Sequence, residues 1–258
     1  MPWLADYRLE ALLGQGSYGA VLKARKGELT YAVKVSSSLG ASSGHKVADF
    51  ATEKAILAHL NHSHIPSLVD AFCHAKVNYI VQEFIDGYPL SYYIGSGRRF
   101  SEAEVREVLL QLLLILQYLH QHDQPVIHRD LRLSNLMLAG DKIHLIDFGL
   151  ARFLNSAAVG PAAASPTASS LAAPKHVRPN SYRSFRQAVS PASDLFGAGV
   201  VGVDLFTNWV SDPAHFALSW QKLIPASQPF ITFLEQLLTG QKYFCSAADA
   251  YHTLKSLP

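Results

Sequence analysis

Cysteine is nearly absent. Only Cys73 and Cys245 occur in 258 residues, far apart in the chain. Two such thiols make no disulfide framework and no metal-ligand spacing, and they fit a reducing cytoplasm. Charge of one sign is also missing. The net charge is +2, with no concentrated basic tail, which argues against a nucleic-acid binder. No apolar run is long enough to span a bilayer. The longest, "VLLQLLLILQYL" (108–119), carries Gln111 and Gln117 and reads as a buried helix. The opening "MPWLADYRLE" meets a charge before any apolar core develops, so no signal peptide, membrane anchor or appended sensor is expected. No internal repeat is found. What is present is 49% apolar and 16% charged, a globular composition long enough for one large domain or two lobes.

The first third predicts strands and turns. Residues 7–35, "YRLEALLGQGSYGAVLKARKGELTYAVKV", alternate apolar and polar around glycine-rich and Lys-Gly-Glu turns. Residues 39–46 read as a polar loop, 47–60 as a helix and 78–85 as a buried strand closed by Asp86-Gly87. After residue 90 the character becomes helical. Residues 101–122 form a long helix with a capping signal, Ser101 followed by Glu104. Short strands "NLMLA" and "KIHLID" follow, then a helix at 193–206 and two amphipathic helices, "FITFLEQLL" and "SAADAYHTLKSL". Between them, 154–181 shifts to Ala, Ser, Pro and Thr and is expected to be a long flexible loop.

Several motifs carry chemistry. "GQGSYGAV" (14–21) holds Gly14, Gly16 and Gly19, which let backbone N–H groups approach phosphates. A dinucleotide fingerprint would open a helix and place an acid about 20 residues on. Here a strand-like "AVLKA" follows, and the residue at that separation from Gly14 is the cation Lys34. The reading is a glycine-rich hairpin covering a nucleotide. Lys34, in "YAVKV", is either an edge-strand lysine facing water or a cation gripping phosphate in a cleft. The second role needs an anionic partner, and Glu53 on the helical stretch can supply it. In "HRDLRLSN" and "LIDFG", Asp130 can accept a proton from an attacking hydroxyl. Asn135 and Asp147 offer hard oxygen ligands suited to Mg²⁺. Phosphoryl transfer needs such positioning and charge neutralisation more than covalent help.

Taken in order, these motifs resemble a eukaryotic-type serine/threonine protein kinase domain, with a bacterial-like character, over nearly the whole chain: the glycine loop at 14–21, Lys34, Glu53, "YIVQEFIDGYPL" at 79–90, the catalytic loop at 128–135, "DFG" at 147–149 and "SDLFGAGVV" at 193–201. The resemblance implies an α+β, bilobal kinase fold over 1–258. It has a small β-rich lobe at 1–85, a helical lobe at 86–258 with a shortened C-terminal part, and an activation segment at 150–192. It implies ATP and Mg²⁺ as cofactors and a protein substrate. Neither a nucleic-acid nor a membrane partner is expected, and the location is cytoplasmic. Lys34 would hold phosphates and pair with Glu53, Asp130 would be the catalytic base, and Asn135 and Asp147 would bind Mg²⁺. Leu13, Val21, Ala32 and Met137 would sandwich adenine. Gln82 would be the gatekeeper, with Glu83 to Ile85 as the hinge. Asp194 would brace the catalytic loop, and His128 would pack on the DFG turn.

The chain departs from the family in places. Arg132 stands where lysine is usual in serine/threonine members, which keeps the charge and changes its shape. The "APE" motif is replaced by Ser181, Tyr182 and Arg183, and Tyr243 stands where its arginine partner would be. Losing one partner of a buried ion pair costs about 3–5 kcal/mol, whereas losing both is tolerable. Ser165, Thr167, Ser169, Ser170 and Ser181 are candidate sites of autophosphorylation, with Arg129 as the family's phosphate receiver. His59, His62 and His64 have loop-like spacing and read as a turn rather than a metal cluster. Two rival readings stand beside an active protein kinase. One is a pseudokinase scaffold, kept open by the missing ion pair and the short lobe. The other is a small-molecule phosphotransferase on the same core fold.

Overall fold

The computed structural model describes residues 3–16, 19–37, 43–154, 188–210, 219–239 and 243–258. The low-complexity stretch, its candidate phosphosites, and Ser181 to Arg183 lie outside the described residues. Tyr243 is described, and it is 48% exposed.

The first 83 residues build a six-stranded antiparallel sheet and one helix. The strands are β1 (Trp3–Leu4), β2 (Tyr7–Gly16), β3 (Gly19–Lys26), β4 (Leu29–Ser37), β5 (Leu68–His74) and β6 (Val77–Glu83), ordered β1-β2-β3-β4-β6-β5. Helix α1 (Ser43–His59) lies between β4 and β5 in sequence. It begins four residues before the helix expected from periodicity, and the strand expected at 78–85 ends at Glu83. Strand β5 escaped the sequence reading. It is an edge strand in which Val69, Asp70, Cys73 and His74 are exposed, so its alternation is weak.

Strand register sorts the sheet's two faces. Val21 sits opposite Lys34, Lys23 opposite Ala32, Ala32 opposite Gln82, and Lys34 opposite Ile80, so these six residues share one face. The intervening residues, Ala24, Val33 and Val81, turn to the other face and pack with Leu4 and Tyr7 in a small core. Ile80 instead joins the main core with Ile56 and Leu57 of α1.

Helices dominate the rest: α2 (Leu90–Gly95), α3 (Glu102–Gln121), α4 (Pro191–Asp204), α5 (Gln228–Leu238) and α6 (Ala247–Lys255). Short strands β7 (Tyr88–Pro89), β8 (Val126–Ile127), β9 (Leu136–Ala139), β10 (Lys142–Leu145) and β11 (Arg152–Phe153) form two small sheets, β10-β9-β7 and β11-β8. The capping box expected at α3 is present: the Glu104 N–H donates to Ser101 Oγ at 3.3 Å, and the Ser101 N–H donates to Glu104 Oε2 at 2.8 Å. The apolar run at 108–119 is core, with Leu109, Leu112, Leu113, Leu116 and Leu119 fully buried. Among the described residues no helix is long and apolar enough to cross a membrane. Helix α4 starts at Ser190, whose side chain accepts from the Ala192 N–H, with Pro191 in the first turn. It packs against α3 and α5 and is buried along most of its length.

A histidine stack joins the two parts. His62, His64 and His144 stand ring beside ring, with centroids 5.6 and 5.5 Å apart. His64 Nδ1 lies 2.6 Å from the Ile143 carbonyl, and the Leu145 N–H donates to the His64 carbonyl at 2.9 Å. Burial, then the neighbouring His64, holds the imidazoles of His62 and His144 below the ordinary value of 6.5. Between the folded and ordinary values the unfolded chain binds more protons, so stability rises with pH there. The contribution is present above about 6.5 and is lost as pH falls through the folded values. Melting temperature is therefore expected to drop on acidification below that point. A His62→Gln/His144→Gln variant should show a flatter profile; an unchanged slope would refute the assignment.

Candidate active site

The glycine hairpin is a β-hairpin, as expected. Gly16 pairs with Gly19 and Gly14 with Val21 across β2 and β3. Gly19 has φ +139°, and a Cβ there would lie 1.9 Å from the Val35 carbonyl oxygen, so only glycine fits. A bulge between Leu12 and Gly14 leaves Leu13 out of register and 47% exposed.

Lys34 is no edge-strand lysine. Strand β4 lies inside the sheet, and Lys34 is only 9% exposed. Its Nζ donates to Glu53 Oε1 and to Asp147 Oδ1, both at 2.6 Å. Three charges from β4, α1 and the turn after β10 thus meet at one point. Burial disfavours the ammonium, but the two carboxylates outweigh it and hold its pKa above the ordinary range. Burial also pushes Asp147 up, yet Lys34 and the Gly149 N–H bring it below the usual carboxylate value. Glu53 is pushed up by burial and by Asp147, against the pull of Lys34. Lys34 thus bridges the two carboxylates, Glu53 and Asp147, at equal distance. A Cβ on Gly149 would come within 2.8 Å of Lys34 Nζ, so a side chain there would displace the ammonium from its present position.

The loop at 128–135 follows β8. Asn135 is buried, and its Nδ2 donates to Asp130 Oδ2 and to the Asp130 carbonyl, each at 2.9 Å. With the nitrogen committed to Asp130, the amide offers its oxygen to a cation. Arg132 Nε lies 3.2 Å from Asp130 Oδ2 and is half exposed. Asp194, fully buried on α4, accepts from the His128 N–H at 2.9 Å and the Arg129 N–H at 2.8 Å. His128 is buried, with its ring 5.0 Å from that of Phe148, and its Nε2 is 3.2 Å from the Ile146 carbonyl. Arg129 and Asp147 hold positive φ, +68° and +63°. Non-glycine residues in this region cost about 1–3 kcal/mol and persist only when their surroundings fix them.

The remaining sequence-predicted residues are distributed as follows. Val21, Ala32 and Gln82 share the sheet face that carries Lys34, and all are half-buried. Glu83 and Ile85 lie in the stretch leaving β6, where the Glu83 N–H donates to the Ser67 carbonyl at 3.0 Å. Met137 lies on β9, opposite Pro89 of β7. Two participants escaped sequence reading. His120 of α3 places Nε2 3.0 Å from Asp194 Oδ2, and Asp49 of α1 holds Arg152 at 2.5 Å. Each partner is separated by about 70 residues or more, so no local pattern signals it. Arg152 also stands near Arg129. Burial first, then this like charge, lowers the Arg129 pKa.

A family model for the protein kinase domain matches residues 7–241. The chain belongs to the protein kinase family. It is similar to the RAC family serine/threonine-protein kinase homolog of Dictyostelium discoideum, 33% identical over 153 residues, covering 58% of this chain and 34% of that protein. A Bacillus subtilis relative, Probable serine/threonine-protein kinase YbdM, is 30% identical over 152 residues, 58% of this chain and 59% of its own. Serine/threonine-protein kinase TIO of Arabidopsis thaliana is 29% identical over 247 residues, 91% of this chain and 18% of its own. The matches to the Dictyostelium and Bacillus relatives therefore span about a third and about three-fifths of those proteins' lengths. The serine/threonine kinase resemblance and the α+β kinase fold expected from the motifs both hold.

Proposed function

We propose that this kinase domain transfers the γ-phosphate of ATP to serine or threonine hydroxyls of a protein, with Mg²⁺ bound at Asn135 and Asp147. The observation that carries this reading is the meeting of Lys34 with Glu53 and Asp147 at 2.6 Å, alongside an Asp130 held by Asn135 at 2.9 Å. The donor set suits the ion, since Mg²⁺ takes hard oxygens and an ionised carboxylate stands beside an amide oxygen. When bound, Mg²⁺ neutralises charge on the phosphates. Lys34 orients the phosphates, held in place by Glu53. The backbone of the glycine hairpin covers them. Asp130 accepts the proton of the attacking hydroxyl, its carboxylate oriented by Asn135 Nδ2 and Arg132 Nε, which both meet Oδ2. Adenine lies against Leu13, Val21, Ala32 and Met137, next to Gln82 and the stretch Glu83 to Ile85. Because Ser67 takes the Glu83 N–H, Glu83 meets adenine through its carbonyl.

The neighbouring guanidinium groups of Arg129 and Arg152 suit a phosphate on the segment after β11, such as one on Thr167. Autophosphorylation there would draw Arg152 away from Asp49. A cytoplasmic location fits the scarcity of cysteine.

The test is phosphate transfer from γ-labelled ATP with Mg²⁺, using the chain itself, a generic basic protein and small alcohols as acceptors. Label on protein seryl or threonyl residues, lost in Asp147→Asn, is the expected result. Label on small alcohols alone would establish a small-molecule phosphotransferase. No label, with ATP still raising the melting temperature, would establish a nucleotide-binding scaffold.

A further inference from the structure

A second group of ligating side chains lies away from the phosphate machinery. His59 ends α1, His122 caps the end of α3, and Asp123 follows it. One ligand atom from each lies within 4.8 Å of the others. His59 Nε2 is 2.9 Å from Asp123 Oδ1, and His122 Nδ1 contacts the same oxygen. The two imidazole rings meet edge to face, with centroids 4.4 Å apart. His62 and His64 turn elsewhere, toward Tyr118 and His144. We propose that His59, His122 and Asp123 form a binding site for a divalent transition metal such as Zn²⁺.

An ordinary ion pair accounts for only part of this arrangement. Asp123 accepts from the Gln124 N–H at 3.0 Å and pairs with His59, as a surface carboxylate often does. His122 Nδ1 is different. The atom is buried and pairs with Asp123 Oδ1, but without hydrogen-bond geometry. A buried polar atom in that condition calls for an explanation, and an ion is one. A cation among the three atoms would satisfy the His122 nitrogen while keeping His59 and Asp123 engaged. Two imidazole nitrogens and one carboxylate oxygen are a normal Zn²⁺ set, with bonds of about 2.0–2.2 Å. Ligand atoms in a tetrahedron of that size stand about 3.4 Å apart, so the side chains need only small adjustments. Asp123 is 73% exposed, which opens a path from solvent and a place for water as the fourth ligand.

The site joins two elements already tied once, where the Asn61 N–H donates to Tyr118 Oη at 2.8 Å. A metal here would cross-link the end of α1 to the end of α3. Helix α1 carries Glu53 less than two turns before His59. The consequence for Lys34, and only that consequence, rests on the function proposed above.

Metal binding is tested without ATP. Metal-stripped full chain is titrated with Zn²⁺ by calorimetry, in excess Mg²⁺ to cover the oxygens of Asn135 and Asp147. Cobalt(II) serves as a second probe through its visible ligand-field absorption. One equivalent should bind, raise the melting temperature and give a spectrum of nitrogen and oxygen ligation. His122→Gln and Asp123→Asn should each weaken binding at least about tenfold. Asp123 is so exposed that its variant keeps the fold, and it decides the matter alone if His122→Gln melts early without metal. Absence of stoichiometric binding to the wild type, or equal binding by Asp123→Asn, overturns the proposal. Neither result bears on phosphate transfer.

Discussion

Asp130→Asn is expected to slow phosphate transfer by about 10²–10⁴-fold while leaving ATP binding intact. An asparagine oxygen can still accept from Asn135 Nδ2, which lies 2.9 Å from the native carboxylate, so the loop keeps its shape. What disappears is the group that takes a proton. The pairing with Arg132 is lost too, but that side chain is half exposed and such pairs contribute only about 0–1 kcal/mol. Lys34, Glu53 and the glycine hairpin are untouched. The loss should therefore fall on kcat, with the KM for ATP and the nucleotide-induced rise in melting temperature close to wild type. Arg132→Lys separates the neighbouring contribution, because lysine keeps the charge without the planar fork. Rate measurements beside thermal shifts decide the matter. A variant that transfers phosphate at the wild-type rate would remove Asp130 from the chemistry.

The glycine hairpin and the loop at 128–135 were legible because their residues sit in short local patterns. Glycines at 14, 16 and 19 before an apolar strand signal a hairpin, and an Asp followed by Asn five residues later signals a loop with oxygen ligands. Lys34 was ambiguous by pattern alone. A lysine in an apolar strand reads the same whether the strand is an edge or interior, and only the pairing of β4 with both β3 and β6 decides it. Helices α3 to α6 were legible from apolar periodicity and caps. Strand β5 was not, since an edge strand buries one face weakly and its sequence need not alternate. His120, Asp49 and the grouping of His59 with His122 and Asp123 are set by helix packing between distant segments. His59 shows how this misleads. Its sequence neighbours His62 and His64 turn to other partners, while its spatial neighbours lie more than 60 residues on.

Removing the carboxylate of Asp194 should produce the largest loss of stability. The group is fully buried and accepts from three donors: the His128 N–H, the Arg129 N–H and His120 Nε2. In Asp194→Ala all three lose their acceptor where water cannot replace it. Breaking a buried charged network from one side costs about 3–5 kcal/mol, against a total of about 5–15 kcal/mol for a typical domain. Asp194→Asn should fall between, since one oxygen remains while its amide N–H₂ opposes a backbone donor. Activity should fall with stability. Arg129 keeps φ +68° beside these anchors, and once they go the strained backbone relaxes and carries Asp130 with it. The pH dependence identifies the cause. Burial pushes Asp194 up, but the hydrogen bond and charge of His120, with the Arg129 N–H, hold it below the ordinary value of 3.8. Its contribution is thus fully present above that value and is lost as pH falls through the folded one. Urea unfolding across the acid range should show a steep loss in wild type and a shallower one in Asp194→Ala. A variant that loses less than about 1 kcal/mol and keeps its activity would show that the loop is held from elsewhere.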